Sequence, residues 1–254
     1  MPRFFNRIRK QLAKENKFFQ YSRYAIGEIL LVVIGILIAL QIDTWNQERK
    51  EAQQEITSYC KIKEDIESDK FRIATIIESI AERQLVCKQL LMKLHSTPKD
   101  KSVIMDDYLA AIRSDVFYPN KAAISDLTSS GKLSLLHNVE LKKMILMYYT
   151  EMENSLRIIH TNQSEVTDRI FQYDNILEMG AHQTFYREEY GKELMDLLPN
   201  MNWQTDKKNP YFKKFEEHIA MAIVVNAREK QILEIILSKI EPLLLSLNEA
   251  CNRY

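Results

Sequence analysis

The sequence predicts an all-α protein: one N-terminal transmembrane helix that continues into an extracytoplasmic antiparallel helical bundle. Three observations predict it. Tyr24 to Ile42 is an apolar stretch of about 19 residues with nothing polar between Ile29 and Leu40, long enough as a helix to cross a hydrocarbon core of ~30 Å. Beyond it, apolar residues recur three and four positions apart over long segments, the period of helices that bury one face. Only five glycines occur in 254 residues, about 2% against a usual ~7%. Phosphate loops and tight hairpins need Gly where the backbone takes φ > 0 or approaches a ligand closely. The composition therefore argues against a nucleotide-binding α/β enzyme and against a β-sandwich or barrel.

The chain divides into an arm (1–23), a span (24–42) and a helical domain (43–254). Its 35 basic and 35 acidic side chains cancel, but they are unevenly placed. The arm carries Arg3, Arg7, Arg9, Lys10, Lys14, Lys17 and Arg23 against Glu15 alone. Phe4, Phe5, Ile8, Leu12, Phe18 and Phe19 alternate with these cations, which suits an amphipathic segment on an anionic inner leaflet. Nucleic-acid binding is the rival reading of a basic arm. Next to a span, lipid contact fits better, and no nucleic-acid partner is expected.

Tyr21, Tyr24 and Trp45 bracket the span where aromatic rings favour the headgroup layer. Arg7, Arg9 and Lys10 join Tyr24 and Trp45 as interface residues. A buried core helix can be equally apolar, but the one-sided basic flank and the aromatic bracket favour a membrane. A cleaved signal peptide needs small residues at −3 and −1, and Ala39-Leu40-Gln41 is a poor site. The reading is an uncleaved signal anchor. Its basic side stays cytoplasmic, so residues 43–254 face away from the cytoplasm.

Two features inside the span invite function. Gly35 and Ala39 form a small-xxx-small pair that lets two helices approach closely. Glu28 lies about 6 Å into the span by helix rise, where a carboxylate is costly and marks a functional candidate. The alternative is that Glu28 reaches the interface or pairs with Arg23.

From Trp45 to His95 there is neither Gly nor Pro. Steps of three and four from Ile56 give Ile56, Tyr59, Lys63, Ile66, Lys70, Ile73, Ile77, Ile80, Gln84, Cys87, Leu91 and Leu94, nine of twelve apolar, a heptad-like stripe. Ser96-Thr-Pro-Lys-Asp-Lys-Ser102 breaks it. Ser102, with Asp106 or Asp107 behind it, opens a short helix to Val116. Pro119 disfavours helix at Tyr118, and a second short helix follows over about Lys121–Ser130, stopped by Gly131 as an αL cap. Asn138 caps a long helix expected to reach about Met179 and to end at Gly180. Residues 181–210, with Gly191, Pro199, Trp203 and Pro210, read as a short helix and loop. The last helix starts at Tyr211. Its stripe is Phe212, Phe215, Ile219, Ala222, Asn226, Glu229, Leu233, Ile236, Ile240, Leu243, Leu247 and Ala250, ten of twelve apolar. Pro242 is expected to kink or end it. No segment alternates with period two.

The search for chemistry returns little. In a single helix Cys60 and Cys87 stand about 40 Å apart and cannot pair. Cys87, on the stripe, either meets its own copy in a parallel oligomer or is a buried free thiol, the better fit; the pairing of Cys60, Cys87 and Cys251 otherwise stays open. Glu216-Glu217-His218 is the nearest approach to a metal cluster. Adjacent helical residues point apart, so it reads as a solvated face. No Gly-x-Ser-x-Gly or Cys-x-x-Cys occurs. Neither catalytic residue, metal nor cofactor is expected. Phe185, Tyr186, Tyr190, Trp203, Tyr211 and Phe212 either line a groove or, more simply, cap the end of a bundle core.

The run Tyr24-Ala-Ile-Gly-Glu-Ile-Leu-Leu-Val-Val-Ile-Gly-Ile-Leu-Ile-Ala-Leu-Gln-Ile-Asp-Thr-Trp-Asn46, behind the Phe4-Phe5…Arg9-Lys10 arm, resembles the hallmark of an uncharacterised family of single-span membrane proteins abundant in Bacteroidota. Asp126-Leu-Thr-Ser-Ser-Gly-Lys-Leu-Ser-Leu-Leu-His-Asn138 is similar to that family's second signature. The resemblance implies an inner-membrane anchor and a periplasmic helical domain, with Gly27, Glu28, Gly35, Trp45, Ser130 and Gly131 in its motifs. It implies no activity.

The expected function is a non-enzymatic, membrane-anchored helical scaffold or interaction module, partnered by the bilayer and by its own copies or another membrane protein. One alternative is an ion- or proton-coupled subunit using Glu28. The layout resembles the single-span partners of proton-driven stators, but departs from them in having Glu for Asp and no peptidoglycan-binding pattern. Another is a periplasmic ligand-sensing bundle, though 23 cytoplasmic residues hold no output domain. Catalytic carboxylates need no recognisable motif, which leaves a membrane-anchored enzyme as the last class.

Overall fold

The computed structural model describes residues 18–96, 100–172, 183–198 and 201–252. Among the described residues there are helices and no strands: α1 (Phe18–Ser96), α2 (Lys101–Ile112), α3 (Ala122–Ser129), α4 (Val139–Phe171), α5 (Thr184–Met195) and α6 (Pro210–Cys251), with 3-10 turns at Lys132–Leu135 and Trp203–Thr205. The chain divides into two units, residues 1–56 and 57–254.

In the first unit the apolar part of α1 is long enough to cross a membrane, and none of its most apolar window is buried. Its side chains stand open, from Val33 at 46% exposed to Leu31 at 74%. A soluble core helix buries such a surface, and this one leaves it open. The basic arm, with Arg7, Arg9 and Lys10, lies outside the described residues.

The second unit is built on the rest of α1 with α4 and α6. Side-chain pairs between α1 and α6 run in opposite order along the two helices: Cys60 with Cys251, Lys63 with Asn248, Lys70 with Glu241, Arg83 with Glu229, His95 with Glu216. The two are therefore antiparallel. One apolar cluster joins Tyr59, Ile62, Ile66, Ile73 and Ile80 of α1 to Leu141, Ile145 and Met152 of α4 and to Leu233, Ile236, Ile240 and Leu247 of α6. A second joins Cys87, Leu90 and Leu94 of α1 to Ile104, Met105 and Tyr108 of α2, to Trp203, and to Phe212, Phe215 and Ile219 of α6.

All twelve stripe positions of α6 are buried as expected. The stripe of α1 is half right. Tyr59, Ile66, Ile73, Ile80, Cys87 and Leu94 point inward, but their partners are Ile62, Asp69, Ile76, Arg83 and Leu90, not Lys63, Lys70, Ile77, Gln84 and Leu91. The steps run three then four, the order opposite to that expected. Lys63 and Lys70 flank the seam and reach Asn248 and Glu241 on α6. The shift carries two charges, Asp69 and Arg83, into the interior.

The helix ends follow from hydrogen-bond supply. Asp100, not Ser102, caps α2, its carboxylate accepting the Ser102 N–H at 2.7 Å, and α2 stops at Ile112 rather than Val116. Gly131 takes φ 69° after α3, the left-handed cap expected of it. Asn138 Oδ1 accepts the Leu141 N–H at 3.1 Å and starts α4. The expected end of α4 near Met179 and Gly180 lies outside the described residues. Asn209 caps α6, with Pro210 in its first turn, where a missing N–H costs nothing. Pro242 does not end α6, which runs on to Cys251; Ser238, whose carbonyl the proline cannot bond, is exposed.

Candidate functional site

The two apolar clusters are separated by a charged layer. The Arg83 side chain, 8% exposed, donates to Asp115 Oδ2 at 3.0 Å, to Glu229 Oε2 at 3.5 Å and to Asn226 Oδ1 at 3.4 Å. Ser79 Oγ donates to the same Asp115 oxygen at 2.7 Å. Glu229 is 3% exposed. Burial pushes its carboxyl above the usual range while Arg83 pulls it back down. Asp115, by contrast, is half-exposed. The layer thus joins α1, α6 and the segment after α2 through one guanidinium whose fork can serve all three. A buried ion pair is weak evidence for stability but strongly constrains which neighbours are tolerated.

Asp115 begins a second arrangement. From Arg113 to Lys121 the chain has no helix and runs antiparallel to α1, pinned turn by turn. Arg83 and Ser79 hold Asp115. Arg72 donates to the Tyr118 carbonyl at 3.0 Å and lies over the Phe117 ring. Asp69 Oδ1 accepts the Asn120 N–H at 2.8 Å, and Asp65 Oδ2 accepts the Ala123 N–H at 2.9 Å. Ala123 stands in the first turn of α3, so Asp65 caps that helix from α1, where a carboxylate favours the helix N-terminus. Tyr148 donates to Asp69 Oδ2 at 3.0 Å. Burial raises the Asp69 carboxyl, and the Asn120 and Tyr148 bonds oppose it. Burial and the nearby Asp69 push the Tyr148 phenol upward as well.

The residues singled out from sequence fare differently. Glu28 is half-buried and has an interaction partner. Open space surrounds Gly35, where an added Cβ would meet nothing within 4 Å, and Ala39 is exposed. Tyr24 is half-buried, and Trp45 is 63% exposed. These residues share the apolar part of α1 in the first unit, whereas the buried charges belong to the second. Cys87 is fully buried against the Ala111 carbonyl and is the free thiol, which removes contact with its own copy. Cys60 and Cys251 form a disulfide, their Cα atoms 5.4 Å apart. The aromatic cluster splits: Trp203 and Phe212 are buried, whereas Phe185 is 63% exposed, with Tyr186 and Tyr190 also open.

His218 is not on a solvated face. It is buried, its Nδ1 3.1 Å from the Tyr108 hydroxyl, while Glu216 lies 2.7 Å from His95 Nε2 instead. Burial, with Arg169 and Lys214 nearby, lowers the His218 pKa from 6.5 to about 4. The ring is neutral in the fold and protonates more readily once unfolded. Its contribution is therefore complete above about pH 6.5 and lost as pH falls toward about 4. His218→Gln is expected to flatten the pH dependence of the melting temperature over that window, by the equivalent of about 1–3 kcal/mol. An unchanged slope would remove His218 as its source.

Sequence reasoning placed Asn226 and Glu229 on the inner face of α6 but missed Arg83, Asp65 and Asp69. A signal existed: in an antiparallel pair, Glu229 on one stripe calls for a cation at the matching height on the other.

Comparison with known proteins returns one result. The model of the Family of unknown function (DUF6090) matches residues 28–180, taking in Glu28, Gly35, the buried Asp65, Asp69 and Arg83, and the Asp126–Asn138 block, and leaving out α5 and α6. No curated protein and no solved structure matches the chain. With more than half of the chain covered, the protein belongs to this family of unknown function.

Proposed function

We propose that the protein is a non-enzymatic interaction module anchored in the inner membrane by α1, with its N-terminus cytoplasmic and its helical domain periplasmic. The observation that carries the reading is exposed apolar surface. On α1 it suits lipid. On α5 it suits another protein: no residue of α5 is buried, and Phe185 and Leu194 are more than half exposed. Large apolar side chains left in water support an interaction surface. The sidedness is supported by the basic arm and by the Cys60–Cys251 disulfide, a bond that persists in oxidising compartments and is rare in the cytosol.

The test is the native mass of the intact protein extracted from its own membrane in mild detergent. A discrete assembly heavier than one chain is expected. A monomer that recruits nothing would overturn the reading.

A further inference from the structure

Two exposed surfaces of the second unit are complementary in chemistry. The outer face of α4 carries one exposed stripe on which Val139, Leu146 and Met147 alternate with Lys142 and Lys143. Val139 is 67% and Met147 50% exposed. Glu151 at the far end is engaged by Lys239, whereas neither Lys142 nor Lys143 has an ion pair among the described residues. The stripe is thus apolar with uncompensated positive charge.

The opposite pattern stands on α5 and the residues after it. Its start is fixed: Asp106 of α2 accepts the Thr184 N–H at 2.9 Å and the Thr184 hydroxyl, and Arg187 donates to Ser102. Beyond that tether Phe185, Tyr186, Leu194 and Leu197 are exposed, Leu197 at 80%. Gly191, at φ 68°, kinks the helix and sets the second pair at an angle to the first. Around them stand Glu188, Glu189, Glu193 and Asp196, none in an ion pair among the described residues.

Within one chain both surfaces are open at once, so neither covers the other. The carboxylates disfavour an anionic lipid surface for α5, and the lysines of α4 offer them a partner. We propose that the exposed apolar side chains of α5 in one copy of this chain dock on the outer stripe of α4 in a second copy, the α5 carboxylates meeting Lys142 and Lys143. The inference rests on the interaction-module reading and names its partner. Apolar contact supplies the core of such an interface, and the rim charges select partner and register.

The experiment compares the native mass of the full-length protein in mild detergent with three exposed-surface variants: Lys143→Glu, Glu193→Lys and the two together. Each single reversal is expected to weaken self-association about tenfold, and the double reversal to restore it. Met147→Glu, which puts a charge among the exposed apolar residues of α4, should abolish it, while the melting temperature shows that each variant folds. If the wild type assembles and none of these substitutions moves its mass, the docking is overturned and the broader reading stands. If the wild type is a lone monomer, both fall.

Discussion

Glu229→Leu is expected to destabilise the protein by about 3–5 kcal/mol, the cost of leaving a buried charge without its partner. The Arg83 side chain is 8% exposed, so its guanidinium is left in the interior short of a partner. Asp115 still faces it, but from a half-exposed position at 3.0 Å on the solvent side, and Asn226 offers only a neutral acceptor. The reverse change, Arg83→Met, leaves Glu229 in the interior, where burial already raises its carboxyl. It responds by protonating, so the loss should be smaller and should shrink further in acid. Together, Arg83→Met and Glu229→Leu replace the pair by apolar volume between two apolar clusters and should recover most of the loss. Chemical unfolding of the four proteins in one detergent gives the cycle. A Glu229→Leu protein as stable as the wild type would show that the layer does not couple α1 to α6.

Cys251→Ser should cost about 2–5 kcal/mol. The disulfide joins residues 191 positions apart in sequence, linking the part of α1 that enters the second unit to the last turn of α6. Opening it frees a long loop in the unfolded chain, where most of the entropic effect of a cross-link lies. Reduction of the wild type should lower its melting temperature by the same amount as the substitution, and leave Cys251→Ser unaffected. Cys87 is fully buried, with its thiol pushed up by burial, so it should react only on unfolding. Equal melting of wild type and variant under oxidising conditions would mean that the bond contributes nothing.

Much of the architecture was legible in the sequence because each long helix repeats one residue period many times. The stripe of α6 carries ten apolar residues in twelve positions, and no other phase competes. The two phases of α1 differ little: one places Lys63, Lys70 and Gln84 inward, the other Asp69 and Arg83. Counting apolar residues in one helix does not choose well between them, because the choice is made by partners elsewhere in the chain: the Asn120 N–H and Tyr148 for Asp69, Glu229 and Asp115 for Arg83. His218 was misplaced for a related reason. Its neighbours Glu216 and Glu217 suggest a solvated face, yet one position along a helix turns a side chain by about 100°, enough to carry the ring to Tyr108. Pro242 shows a local rule overridden in part: of the kink or end expected there, the end is absent and α6 runs on to Cys251. The candidate site was the least readable part, since it consists of long-range pairs that leave no motif at any one spacing.

The central proposal is that α1 crosses the membrane and that the helical domain is periplasmic. The most direct measurement labels a single exposed cysteine, Phe71→Cys at a position 75% exposed, with a membrane-impermeant maleimide on cells whose inner membrane is intact. The account predicts full labelling before lysis and none of the protein released by carbonate washing. Labelling only after the inner membrane is broken, or release of the protein by the wash, would contradict it.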